Sequence, residues 1–239
     1  MPAALVTGAS HGIGRAVADA LAADGYDLHL LCLRDIEDLR AFSVSLEEKY
    51  RISATADAVD VSDAGAVDAY FASVVRRLDL LVNNAGISRL GLLQEMLPAD
   101  WDRVIATNLS SVFYTCRNAI PLFLAGGHGT IINISSVWGS AGASNETAYS
   151  ASKGGVDALT KALAKELAPS HIPVNAIACG VVDTRMNAGF SPEEREALRA
   201  EIPADRFASP EEIAAAVVKL AQMPDYMTGQ IIAMDGGWI

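Results

Sequence analysis

Basic residues are scarce in this sequence: 18 Lys and Arg stand against 29 Asp and Glu, a formal charge of −11 at neutral pH. Charge of that sign repels phosphate backbones and anionic lipid, which argues against a nucleic-acid or membrane-surface partner. Cysteine is rarer still, and Cys32, Cys116 and Cys179 are far apart and set among apolar residues. Buried free thiols are therefore expected, with no disulfide framework and no metal site. No apolar run approaches the ~18 residues of a membrane span. Met1–Ser10 lack a basic leader and read as a strand and its turn, so the expected compartment is the cytoplasm. Repeats, low-complexity tracts and Pro-, Gly- or Ser-rich linkers are missing too, and nothing marks a domain boundary.

What is present is apolar and alternating. Hydrophobic residues make up 51% of the 239, enough for a substantial core in one domain, residues 1–239. Strands are expected at Ala4–Val6, Leu28–Cys32, Ala54–Val59, Leu80–Asn83, Thr130–Ile134, Val174–Ala178 and Ile231–Met234. Helical patterns lie between them. Gly14–Ala23 sets Ala16, Val17, Ala20 and Leu21 on one face, and Ala158–Leu167 spaces Leu159, Leu163 and Leu167 by four. Near-continuously apolar strands separated by helices indicate an α/β fold with a parallel sheet covered on both faces. Ser191-Pro192-Glu193-Glu194 and Ser209-Pro210-Glu211-Glu212 are capping boxes that start two further helices.

Directly after the first strand, Thr7-Gly8-Ala9-Ser10-His11-Gly12-Ile13-Gly14 opens into a helix. Glycines allow a tight turn and close approach of backbone to a pyrophosphate, whose charge the helix N-terminus stabilises through free N–H groups and its dipole. A nicotinamide dinucleotide would have its adenosine ribose read at the end of the second strand, where an acid favours NAD(H) and basic residues favour a 2′-phosphate. That end reads Cys32-Leu33-Arg34-Asp35. No acid occupies the expected position, at Cys32 or Leu33. Arg34, with His11 as a second donor, favours NADP(H) over NAD(H); the alternative is that Arg34 is only a solvated charge.

Tyr149-Ser150-Ala151-Ser152-Lys153 places Tyr149 and Lys153 four apart, on one helix face. A phenol near pKa 10 exchanges protons poorly at neutral pH, and a neighbouring ammonium stabilises the phenolate and lowers that value. Ser136 ends a strand upstream, at the carboxyl edge where open α/β sheets bind ligands, and its hydroxyl suits a substrate carbonyl.

With these residues, Asp60-Val61, Asn83-Asn84-Ala85-Gly86, Thr107-Asn108, Val174–Ala178 and the terminal Asp235-Gly236-Gly237, the whole chain resembles the short-chain dehydrogenase/reductase family. The resemblance implies a Rossmann-type, doubly wound sheet of seven parallel strands and four catalytic positions, Asn108, Ser136, Tyr149 and Lys153. In the reaction it implies, Tyr149 donates the proton in carbonyl reduction and Ser136 stabilises the oxygen. Lys153 holds the nicotinamide ribose and tunes the phenol, while Asn108 orders a water in the relay. Cofactor contacts are implied from Gly8, Ser10, His11, Gly12, Ile13 and Gly14. Further contacts are implied from Arg34, Asp60 and Val61, from Asn84, Ala85 and Gly86, from Tyr149 and Lys153, and from Gly180, Val182 and Thr184. The family also implies a homotetramer or homodimer, joined through the helices after the fourth and fifth strands and the C-terminal strand.

The chain departs from the family pattern at Cys179-Gly180, where Pro-Gly is usual: a tolerated small residue, or a reactive thiol near the cofactor. Asp60–Asn84 also runs a few residues short, which alters an edge loop. Within the family, Asn108–Phe113 and other stretches are similar to the 3-oxoacyl-[acyl-carrier-protein] reductases. Those enzymes often dock their acidic carrier through basic residues before the fifth and sixth strands, yet Phe123–Thr130 and Ala168–Pro173 hold no Lys or Arg. Ser135–Ser144, with Trp138, and Cys179–Asn187 are similar to reductases of the 5-aminopentanone modification on elongation factor P. An acidic surface would suit that cationic substrate. Asp183–Pro203 is the expected substrate lid. The expectation is an NADP(H)-dependent ketone reductase, or in reverse a small-molecule alcohol dehydrogenase. A cofactor-binding sensor without turnover would need a catalytic position broken, and none is.

Overall fold

The computed structural model describes residues 1–239. Its first half runs β1 (Ala3–Thr7), α1 (Gly12–Ala23), β2 (Asp27–Cys32), α2 (Ile36–Tyr50), β3 (Ala54–Ala58), α3 (Ala64–Ser73) and β4 (Leu80–Asn83). The second runs α4 (Pro98–Ile105), a π-helical turn at Ala106–Ser110, α5 (Ser111–Gly126), β5 (Thr130–Ser136), the short α6 (Trp138–Ala141) and α7 (Thr147–Leu167). It ends with β6 (Val174–Cys179), α8 (Pro192–Glu201), α9 (Pro210–Ala221) and β7 (Ile231–Met234). The strands form one parallel sheet in the order β3-β2-β1-β4-β5-β6-β7. The winding reverses between β1 and β4, so the connections leave their carboxyl ends in opposite directions and open a crevice there.

Alternation along each strand sorts the core into two layers. Ala4 and Val6 of β1, Leu80 and Val82 of β4, and Ile132 and Ile134 of β5 pack with Val17 and Leu21 of α1 and Val217 of α9. Leu5, Leu81 and Ile131 point the other way, onto Phe71, Phe123 and Val156 of α3, α5 and α7. A slip of one residue in any strand would exchange the two faces, so burial pins the register that carries the site.

Several element bounds differ from expectation. β5 continues past Ile134 because Ser135 and Ser136 keep pairing with Ala178 and Cys179 of β6, whereas β3 stops at Ala58. α1 begins at Gly12, whose left-handed φ of +56° turns the chain into the helix, and the helix containing Ala158–Leu167 begins at Thr147. Both capping boxes form, with Ser191 and Ser209 accepting from the Glu194 and Glu212 amides and those glutamates accepting in return. No helix is long and apolar enough to cross a membrane. All three cysteines are buried and free.

The amino edge of the sheet is fastened by Asp79, just before β4 and 8% exposed. Asp79 accepts from the Ala3 amide at 2.7 Å, pairs with Arg77 at 3.1 Å and pairs with His128 Nε2. Burial pushes its pKa up, but the Ala3 amide, His128 and Arg77 outweigh burial and hold it below the ordinary value. The Gly126 carbonyl and Asp79 raise His128. A raised histidine contributes stability that is complete below about pH 6.5 and lost as pH rises through its folded value. The melting-temperature gap between wild type and His128→Ala should therefore shrink as pH rises through neutrality. A gap that stays constant would contradict the pairing.

Candidate active site

The crevice between β1 and β4 is a cleft of about 740 Å³, and its floor is the glycine turn. After β1 the chain passes through Gly8 at φ +66° and Gly12 at φ +56°, backbone that only glycine adopts at little cost. Gly14 is required by space instead: a Cβ there would lie 2.3 Å from the Gly8 carbonyl oxygen and 2.5 Å from Asn84 Nδ2. Asn84, just beyond β4, locks this arrangement by donating from Nδ2 to the Thr7 and Gly8 carbonyls at 2.9 and 3.1 Å. The Asn84 and Ala85 amides both donate to Thr7 Oγ1 at 3.0 Å. His11 begins α1 without a side-chain cap bond, which leaves first-turn amides for an anion. Gly8, Ser10, His11, Gly12, Ile13, Asn84, Ala85 and Gly86 line the cleft, while Gly14 packs behind them.

Arg34, Asp60 and Val61 line one end. Asp60 Oδ1 accepts from the Ser62 amide at 2.9 Å and the Ser62 hydroxyl at 2.6 Å, which shapes the turn after β3. His11 Nδ1 is 2.8 Å from Ser10 Oγ. Burial, aided by Arg185, lowers its pKa, so at neutral pH His11 presents a polar ring and no charge. The second donor expected beside Arg34 is thus a neutral one.

Ser136, Tyr149 and Lys153 meet at the other end, with Gly180, Val182 and Thr184 on the adjoining wall. Lys153 lies 5.7 Å from the centre of the Tyr149 ring, and its Nζ donates to the Ile134 carbonyl at 2.7 Å. Burial pushes the Tyr149 phenol above its ordinary value, opposed by the Ser136 hydroxyl. Burial also lowers Lys153 to about 8. In the protein alone, therefore, the group favouring the phenolate is Ser136, and the lysine expected to do so is directed at the Ile134 carbonyl. Burial pushes the Cys179 thiol up to about 12; a thiol so firmly protonated is a small buried residue and a poor nucleophile.

Asn108 is packed directly behind Gly86, where a Cβ would lie 3.5 Å from Asn108 Oδ1 and 3.7 Å from Lys153 Nζ. It is 1% exposed in the π-helical turn, where its Nδ2 donates to the Ile87 carbonyl at 2.8 Å and to Ser152 Oγ at 3.0 Å. Its Oδ1 accepts from the Ile87 amide at 2.8 Å. Both ends of the side chain are thus engaged, and they anchor the loop after β4 to α7.

Sequence reading missed Arg103 and took Thr107 only as part of the family pattern; the two bring α4 and the π-helical turn to the cleft wall. It also missed the pair between Arg185 Nη1 and Asp35 Oδ2 at 3.4 Å, which ties the Asp183–Pro203 segment to the turn after β2. No spacing along the chain signals either contact. Trp138 of α6 packs on Trp238 with ring centres 4.7 Å apart, which seats the C-terminal tail beside the turn after Ser136.

Comparison with known proteins identifies the family. The short chain dehydrogenase family matches residues 2–195. The uncharacterized oxidoreductase YmfI of Bacillus subtilis (strain 168) is 39% identical over 236 residues, 98% of each chain. The 3-oxoacyl-[acyl-carrier-protein] reductase FabG of Staphylococcus aureus (strain Mu50) is 42% identical over 238 residues, 98% of this chain and 96% of that one. The crystal structure of 3-oxoacyl-[acyl-carrier protein] reductase from Brucella melitensis superposes with a TM-score of 0.94 at 33% identity, covering 100% of this chain and 91% of that chain. The chain belongs to the short-chain dehydrogenase family of oxidoreductases, and its sheet is the family's Rossmann-like fold.

Proposed function

We infer that the protein is an NADP(H)-dependent reductase that converts a ketone to a secondary alcohol, similar to the 3-oxoacyl-[acyl-carrier-protein] reductases. The observation that carries this reading is one cleft with the glycine turn as its floor and Ser136, Tyr149 and Lys153 gathered at its end. A dinucleotide suits the residues present. The turn from Gly8 to Gly14, where a Cβ has no room at Gly14, fits the pyrophosphate, and Arg34 fits a 2′-phosphate. Asp60 and Val61 would hold the adenine, and Lys153 the nicotinamide ribose. When bound, the cofactor supplies the hydride for the carbonyl carbon. The chain's own part is to polarise and protonate: Ser136 donates to the carbonyl oxygen, and Tyr149 gives its proton as alkoxide charge develops there. A phenol kept protonated by burial is a donor at neutral pH, the protonation state that ketone reduction requires.

Arg34 gives the cofactor choice a test. The Michaelis constant for NADPH should lie about tenfold or more below that for NADH, the effect of roughly 1.4 kcal/mol, and Arg34→Ala should erase the difference. A wild-type preference for NADH would overturn the assignment.

A second reading has its own support. Phe123–Thr130 and Ala168–Pro173 offer an acidic carrier no Lys or Arg, and their histidines, His128 and His171, are paired with Asp79 and Asp225. Glu146, hydrogen-bonded by Ser88 at 2.5 Å, acts electrostatically on Tyr149, an arrangement that suits a cationic ketone such as the 5-aminopentanone group on elongation factor P. Turnover of that modified protein, with none of 3-oxoacyl thioesters, would select this reading; the reverse would remove it. Exposed Phe113 and Leu124 on α5 support a homo-oligomer, which mass in solution would check.

A further inference from the structure

We propose that Asp157 is a positioning residue of this site, the buried counter-charge that keeps Lys153 protonated. Tyr149, Lys153, Asp157 and Lys161 recur every fourth residue of α7 and form one stripe along it. The phenol stands at the cleft end and Lys161 is exposed at the other. Between them Lys153 is 4% and Asp157 7% exposed. A buried ammonium persists only with a counter-charge or a full set of acceptors, and the Lys153 Nζ has a single acceptor, the Ile134 carbonyl.

The titratable groups facing Lys153 are Tyr149 on its own helix, Cys179 on β6 and Asp157. Burial keeps the phenol and the thiol protonated, which leaves Asp157 as the only carboxyl group among them. Burial raises the Asp157 carboxyl above its ordinary value, and the Ser135 hydroxyl of β5, Lys161 and Lys153 oppose that rise. Asp157 Oδ1 is buried without a hydrogen-bond partner, so hydrogen bonding alone does not account for an acid at this position. Charge does. The turn after Ser136 is seated on the same stripe: a Cβ on Gly139 of α6 would lie 2.8 Å from Asp157 Oδ2 and 2.9 Å from the Lys153 carbonyl carbon. Asp157 therefore sits where the charge of Lys153 and the placement of Ser136 are both set.

The catalytic consequence rests on the reductase reading above, but the ionisation does not, and the test separates them. Carbon-13 NMR of lysine Cε, with Lys153 assigned by its loss in Lys153→Ala, reads the titration without substrate. Asp157→Asn should lower the Lys153 midpoint by about one pH unit, a tenfold change in its acid constant. The upper limb of the pH profile for ketone reduction should move down with it. In the wild type, the Lys153 resonance should also show an acid-side inflection as Asp157 titrates, a readout that needs no variant. An unmoved midpoint in folded Asp157→Asn, or in Asp157→Ser where Asn does not fold, overturns the inference even if melting temperature falls, since that result marks packing alone. A wild type without that acid-side inflection overturns it as well. An inactive wild type would overturn the reductase reading and leave the titration to decide this one.

Discussion

Tyr149→Phe is expected to lower kcat for ketone reduction by about 10²–10⁴-fold, the range that a positioned proton donor contributes, while the Kd for NADPH stays within about twofold. The substitution removes one oxygen and keeps the ring beside Lys153, so the wall of the cleft and the helix that carries it are preserved. What is lost is the proton that burial holds on the phenol. Because the ground-state contacts are nearly intact, the loss should fall on kcat and kcat/KM together, the signature of an interaction made in the transition state. Steady-state kinetics and a fluorescence titration of NADPH check the two halves separately. Near-normal kcat would take Tyr149 out of the chemistry.

Gly14→Ala should weaken NADPH binding by about 100-fold and lower the melting temperature. An added Cβ would sit 2.3 Å from the Gly8 carbonyl oxygen, a contact that no rotamer relieves because both atoms are fixed by backbone. Either α1 moves away from β1 or the turn opens. Both responses strain the Asn84 bonds to the Thr7 and Gly8 carbonyls. Overpacking of this kind costs roughly 1–3 kcal/mol and each lost hydrogen bond about 1 kcal/mol; about 3 kcal/mol corresponds to the stated loss in affinity. Unchanged NADPH affinity in a folded Gly14→Ala protein would mean that the turn does not cradle the cofactor.

The parts of the site that are legible in the sequence are local. The glycine turn spans one strand end and one helix start, and Tyr149 and Lys153 are one helical turn apart, so their spacing alone puts them side by side. β5 is legible only as far as Ile134, because its last residues are serines held extended by pairing with Ala178 and Cys179 and not by their own preference. Asn108 is legible as a position, but its engagement depends on Ile87 and Ser152, 21 and 44 residues away in the chain. Arg185 and Asp35 are 150 residues apart, and Asp79 owes its burial to the amino edges of three separate strands. Contacts of that range depend on the assembled sheet, and no periodicity announces them.

The most direct measurement follows the absorbance of reduced nicotinamide as purified protein meets NADPH and a panel of 3-oxoacyl thioesters and aliphatic ketones, with alcohol product counted by mass spectrometry. The expected result is one alcohol formed for each NADPH consumed on at least one member of the panel, and loss of that turnover in Tyr149→Phe. A protein that binds NADPH yet reduces none of these ketones, nor the aminoketone on elongation factor P, would be a cofactor-binding sensor, and the assignment of Ser136, Tyr149 and Lys153 to ketone reduction would be wrong.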